Sequence, residues 1–176
     1  IREFTDEPLT SAQLATLLDV ANRTATSNGM QQYSLLRITD PDMRRQMAQV
    51  STQEYLTRCP ELFVFIVDVY RNARIAEELG HTPESRADMD RFIQGFTDAA
   101  LAAQNMTVAA ESMGLGAVYF GSILNDPRRM VKILGLPQLT FPVVGLGIGH
   151  PNQEPQLKPR MPVELKVFEN GYRVFD

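Results

Sequence analysis

Cysteine, histidine and basic charge are all scarce in this sequence. The one cysteine, Cys59, excludes an intrachain disulfide, and one Cys beside two His excludes most zinc sites. A single Cys among eight Met suits a reducing, cytoplasmic setting. The 17 Lys and Arg are outnumbered by 21 Asp and Glu, for a net charge of −4. That argues against nucleic acid as a partner, because phosphate binding needs a basic face. No apolar run approaches the ~18–20 residues needed to span a bilayer, so no membrane role is expected. Signal peptide, Walker A sequence, internal repeat and low-complexity tract are all missing. What is present is 176 residues, 44% hydrophobic and 22% charged. That is one domain's worth of chain with enough apolar surface for a single core. Ile1 and Asp176 both fall inside patterned sequence. The expectation is therefore a single domain over residues 1–176, cut from a longer chain whose N-terminal start and C-terminal extension are absent.

The chain alternates helical and strand patterns. Thr10 with Gln13 forms a capping box, and Leu14, Leu17, Leu18 and Ala21 follow at helical spacing. Residues 24–32, TATSNGMQQ, read as a polar loop around the Asn28-Gly29 turn. YSLLRIT (33–39) is a strand, and Asp40-Pro41 starts a helix with Met43, Met47 and Val50 as its apolar face. ELFVFIVDVY (61–70) is apolar almost throughout, which suits a strand covered on both faces. A short helix is expected near 72–79. A long one runs from about Asp88 to Met113, with a buried stripe of Phe92, Phe96, Ala99, Ala103, Met106 and Ala110. Gly114 ends it. AVYF (117–120) is a strand, Asp126-Pro127 starts a helix that Gly135 stops, and FPVVGLGI (141–148) is a further buried strand. Residues 151–163 are Pro-rich and extended. The pattern fits a three-layer sandwich, α/β or α+β.

Motifs for side-chain catalysis are thin. Gly145, Gly147 and Gly149 have G-x-G-x-G spacing with no helix after them, so close backbone packing explains them better than a dinucleotide loop. Cys59 precedes Pro60 at the start of a buried strand and reads as core. His150 ends a strand without a G-x-S-x-G elbow that would make it a base for a hydrolase, and His81 lies in a polar loop. Glu77, Glu78, Glu84, Asp88 and Asp90 read as solvated faces. No catalytic side chain and no metal ligand is expected. Lys158 and Arg160 flank a proline in an extended stretch, where alternate side chains point the same way and can converge on one anion. A chain with an anion cradle and no acid–base machinery suits a phosphate-bearing cofactor that carries the chemistry itself.

Taken in order, IREFTDEPLT, ATSNGMQQ, LLRITDPDMRRQM, LFVFIVDVYRN, DAALAAQNMTVAAESMGLGAVYFGSILND and GLPQLTFPVVGLGIGHPNQEPQLKPRMP resemble the FMN-dependent nitroreductase family. The likeness is strongest to its NADPH-linked oxygen-insensitive nitroreductase and flavin reductase branch, and it runs over essentially the whole chain. It implies an α+β nitroreductase fold, a three-layer α/β/α sandwich with a central mixed sheet and a long central helix. It also implies an obligate homodimer with FMN at the subunit interface. The implied activity is ping-pong, with hydride passing from NAD(P)H, NADPH foremost, through flavin N5 to nitroaromatics, quinones or free flavin. A flavin-storage protein of the same fold is the alternative. By the same resemblance Arg2 reaches the flavin at its N1/O2 edge or its phosphate. Thr26, Ser27 and Asn28 meet a flavin from the partner subunit, and Gln53 bonds the pyrimidine edge. Tyr119, Phe120, Gly121 and Ser122 lie along the ring, with Phe120 covering one face and the Gly121 N–H toward N5. Lys158 and Arg160 clamp the phosphate. Ser122 stands where that branch often has glycine.

Overall fold

The computed structural model describes residues 1–82 and 88–174; Glu84, in the acidic stretch above, lies outside them. The strands are β1 (Tyr33–Arg37), β2 (Glu61–Asp68), β3 (Gly116–Phe120) and β4 (Thr140–Gly149). The helices are α1 (Ser11–Asn22), α2 (Pro41–Ser51), α3 (Val69–Glu78), α4 (Met89–Ser112) and α5 (Pro127–Ile133). The strands form one sheet in the order β1-β2-β4-β3. Among the described residues every pairing is antiparallel, where a mixed sheet was expected. The β1–β2 and β3–β4 connections return the chain beside the strand it left, reversed; the α3–α4 connection instead carries it from β2 past the place of β4 to β3, which runs parallel to β2 without pairing with it.

The sheet is the middle of three layers. All eight residues of β2 are buried, and they alternate between two cores. Phe63, Phe65 and Val67 face α1 and α4; Leu62, Val64 and Ile66 face α2 and α5. An uninterrupted apolar run therefore meant a central strand with helices on both sides. β2 stops at Asp68 rather than at Tyr70, because the Asp68 carboxylate accepts the Arg71 N–H and starts α3 at once. The capping box at Thr10 forms, with Thr10 Oγ1 accepting from the Gln13 N–H and Gln13 Oε1 accepting from the Thr10 N–H.

Small residues set the layer spacing. In α4 the stripe of Ala99, Ala103, Met106 and Ala110 is buried as expected, but Phe96 is 37% exposed. The turn it belongs to faces the sheet with Gly95 and Asp98 instead. On the other face, a Cβ at Gly147 would stand 2.5 Å from Cys59 Sγ, and one at Gly149 would stand 2.6 Å from Pro60. The glycines of β4 thus admit the chain around Cys59 and the Phe120 ring against the sheet, which is the packing role read from their spacing. Burial pushes the Cys59 thiol up to about 12, so it stays protonated and inert.

Candidate functional site

Two groups of expected site residues form, at opposite edges of the sheet. The first lies beside β3. The Arg2 guanidinium sits over the Tyr55 ring, 5.6 Å from its centroid. Tyr55 OH donates to Gln53 Oε1 at 2.8 Å, and the Tyr55 ring lies 5.3 Å from that of Phe120. Tyr55, not among the residues singled out from the sequence, is what joins Arg2, Gln53 and the end of β3. Its spacing from Gln53, two residues on in a short 3₁₀ turn, was the available signal.

Beyond Phe120 the chain enters a second 3₁₀ turn, Gly121–Asn125. The first N–H groups of such a turn have no partner within it. A Cβ built at Gly121 meets nothing within 4 Å, so this backbone is open to close approach. Next to it, Ser122 Oγ is enclosed and has no hydrogen-bond partner among the described residues.

Tyr119 and Phe120 separate as strand neighbours must. Tyr119 points to the α4 side, where its OH donates to Gln104 Oε1 at 3.2 Å and accepts from Thr107 Oγ1 at 2.7 Å. Burial foremost raises its pKa, so it remains a phenol. Phe120 points the other way and is 0% exposed. Its ring therefore cannot cover a cofactor face, as was expected of it. The space left by Gly145 and Gly147 takes it into the core.

The second group is the loop before β1. Its 3₁₀ turn is Ser27–Gly29, preceded by Thr26 in extended conformation, with Asn28, Gly29 and Gln31 at positive φ. The loop is gripped by a residue that sequence reasoning missed. Asp98 of α4 is 1% exposed and accepts the Ser27 N–H at 2.8 Å and the Gln32 N–H at 3.1 Å. Its place within the apolar stripe of α4, one residue before Ala99, was the legible sign of an inward carboxylate. β1 and β3 are the two edge strands. Three inter-strand spacings, about 14 Å of sheet, lie between them. One chain therefore does not bring Ser27 to Gly121.

Lys158 and Arg160 are exposed in a segment without helix or strand. Arg160 Nη1 donates to the carbonyls of Lys158 and Pro159 at 3.2 and 3.3 Å, so its guanidinium folds along its own backbone. The convergence on an anion expected from their spacing is not formed within the chain. Among the described residues no group of three His, Cys, Asp or Glu is placed to hold a metal ion, and no helix is long and apolar enough to cross a membrane.

Residues 1–150 match the family model described as the nitroreductase family. The chain is 40% identical over 176 residues to FMN reductase (NADPH) of Bacillus subtilis, covering 99% of this chain and 71% of that one. It is 37% identical over 178 residues to the oxygen-insensitive NADPH nitroreductase of Salmonella typhimurium, covering 100% and 72%. The structure of the Vibrio harveyi NADPH:FMN oxidoreductase in complex with NAD+ superposes with a TM-score of 0.92 at 36% identity, over 100% of this chain and 75% of that one. The chain belongs to the nitroreductase family.

Proposed function

We propose that this chain is an FMN-dependent oxidoreductase that takes electrons from NAD(P)H, NADPH foremost, and passes them to nitroaromatics, quinones or free flavin. The names of its relatives, an FMN reductase and a nitroreductase, support an enzyme over the flavin-storage alternative. The observation in the molecule that carries the reading is the donor-rich corner at the end of β3. Open backbone at Gly121, the Gln53 amide and the Arg2 cation are offered with no carboxylate bonded to them among the described residues, and the enclosed Ser122 hydroxyl beside them has no partner there. Such a set suits the acceptor-rich edge of a flavin.

Bound FMN would supply the two-electron chemistry; the chain's own residues hold and orient it. Arg2 would place a cation at the edge where negative charge develops. Gly121 would present its N–H with no side chain in the way. Gln53 would orient the pyrimidine edge, with its oxygen already held by Tyr55. Lys158 and Arg160 would take the phosphate through charge-assisted hydrogen bonds. None of these roles needs a side chain that moves a proton.

We read the chain as one half of a homodimer, and the placement of the two groups supports that reading. The loop at Thr26–Asn28 and the corner at Gly121 lie toward opposite edges of the sheet, and two copies would bring them to one ligand. α4 presents Ile93, Leu101 and Val108, all about half exposed, on its outer face. Leu157, Val163 and Val167 add exposed apolar surface on the last segment. We read the chain as one FMN-binding domain that works in the cytoplasm, with a buried Cys suited to reducing conditions.

The test is Gly121→Val. The space around Gly121 lets the variant fold, while its side chain stands where the ring would lie. Misplacement of ~1 Å can cost about 100-fold in rate. Reduction of bound FMN by NADPH in stopped flow should slow at least tenfold, ~1.4 kcal/mol, with circular dichroism unchanged. Wild-type kinetics in a folded, FMN-loaded variant would put the flavin elsewhere. A wild-type protein that binds FMN but oxidises no NAD(P)H would restore the storage reading.

A further inference from the structure

We propose that Asp98 is a positioning residue for the cofactor site: its buried carboxylate holds residues 26–32 in the conformation that meets a flavin. The proposal rests on the reading of this loop given above. It goes beyond that reading in assigning the loop's shape to a residue on another element, some seventy positions away in sequence.

The loop has little reason to hold its shape by itself. Asn28 and Gln31 are non-glycine residues at φ 50° and 51°, and Gly29 lies at 67°. Left-handed backbone at a side-chain-bearing residue is costly and persists only where the surroundings impose it. Within the loop, the Met30 N–H donates to the Ser27 carbonyl at 2.9 Å and the Gln31 N–H to Thr26 Oγ1 at 3.3 Å. These bonds close a turn but do not orient it on the protein.

Asp98 does orient it. One carboxylate oxygen takes the N–H at the turn's first residue, Ser27, and the other takes the N–H of Gln32, where the chain enters β1. The two ends of the strained stretch are thereby fixed to one rigid group. Gln32 is itself 1% exposed, its amide donates to Gln94 Oε1 at 2.9 Å, and its carbonyl accepts the Asp68 N–H at 2.9 Å. From the other side Asn72 Nδ2 donates to the Met30 carbonyl at 2.8 Å, and Arg71 donates to the Gln31 carbonyl. Among the described residues only Asp98 binds both ends, and hydrogen bonds to a charged acceptor are the stronger kind. The side chains of Ser27 and Asn28 are left out of this framework and available to a ligand, while Thr26 Oγ1 holds the Gln31 N–H.

The test compares wild type with Asp98→Asn in the FMN-reconstituted protein. Asparagine keeps the volume but offers an N–H2 where one loop N–H needs an acceptor. Amide exchange at Ser27 and Gln32, read by NMR, should accelerate at least tenfold, with Ala103 and Met106 at the centre of α4 unchanged. The FMN dissociation constant, from fluorescence titration well below the melting temperature, should rise at least tenfold. Ser27→Pro serves as a second variant if Asp98→Asn does not fold. It deletes one N–H at a position where proline suits a turn start, and it should accelerate exchange at Gln32; because it also removes a side chain read as meeting the flavin, exchange and not affinity is its readout.

Unchanged exchange at Ser27 and Gln32 would overturn Asp98 as the holder of the loop. Faster exchange with unchanged FMN affinity would show that the held loop does not serve the cofactor. A variant that only melts earlier, with the folded fraction binding FMN normally, would make Asp98 merely structural. Failure of the wild type to bind FMN at all is seen before any variant is made, and it would count against the function rather than against Asp98's grip.

Discussion

Residues 26–32 and residues 152–174 are both irregular, and each carries expected cofactor contacts, yet they are held in opposite ways. The first stretch is fixed by side chains of α3 and α4 into a backbone with three positive φ values. In the second, every described residue but Gln153 and Phe168 is exposed. Gln153 ties its start down by accepting the Glu3 N–H at 3.1 Å, and Asn152 donates to the Glu3 carbonyl at 3.0 Å. Past that point the hydrogen bonds seen among the described residues stay within the segment. A preformed loop pays its ordering cost during folding, whereas an open one pays on binding. The anchored loop should therefore couple stability to binding, and the open segment should contribute to binding alone.

The largest effect that would sharpen this contrast is expected at Arg160. Arg160→Ala should weaken FMN by about 1.5–3 kcal/mol, the worth of a hydrogen bond to a charged group. Lys158→Ala should cost less. Neither should move the melting temperature of the FMN-free protein, because the bonds that Arg160 makes run to carbonyls of its own segment. A fall in FMN-free stability would mean the segment is docked after all, and unchanged FMN affinity would remove both cations from the site.

Gly95→Ala probes the anchored loop. Its Cβ would stand 2.6 Å from the Gln32 carbonyl oxygen and 2.8 Å from Val67 Cγ1. The carbonyl is backbone and already accepts the Asp68 N–H, so it cannot swing aside freely. Overpacking of this kind costs about 1–3 kcal/mol. Calorimetry should show lost stability, and titration should show weaker FMN binding. Lost stability with wild-type affinity would break the coupling argued for this loop.

The frame of the molecule was legible because each element carries its own local rule. Asp40-Pro41 and Asp126-Pro127 cap and start α2 and α5, and Gly114 and Gly135 adopt the positive φ that stops α4 and α5. The unbroken apolar run of β2 implied cover on both faces. Strand direction was not legible, since it depends on where a connecting helix returns the chain, and among the described residues every pairing in the sheet is antiparallel. At the candidate site, Arg2, Gln53, Gly121 and Ser122 are singled out by their resemblance to a family pattern. Asp98 and Tyr55 were not, because their value lies in contacts distant in sequence or hidden in a two-residue offset. Phe120 was misjudged because the side on which it lies is decided by space made in β4, a different strand.

Tyr55 should give the smallest effect, and it tests whether the β3 corner behaves like the anchored loop or like the open segment. Tyr55→Phe keeps the ring that lies under Arg2 and beside Phe120. It deletes only the hydroxyl that donates to Gln53 Oε1. Tyr55 is half-buried, so water replaces part of what is lost. A neutral hydrogen bond of this kind is worth about 0.5–1.5 kcal/mol net. If the bond preorganises the Gln53 amide, that amount should appear in FMN affinity by titration, with a smaller change in the melting temperature of the FMN-free protein. Loss confined to stability would make Tyr55 a packing residue and leave Gln53 oriented by other means. An unchanged FMN affinity together with an unchanged melting temperature would show that the corner, like the open segment, is organised only when its ligand arrives.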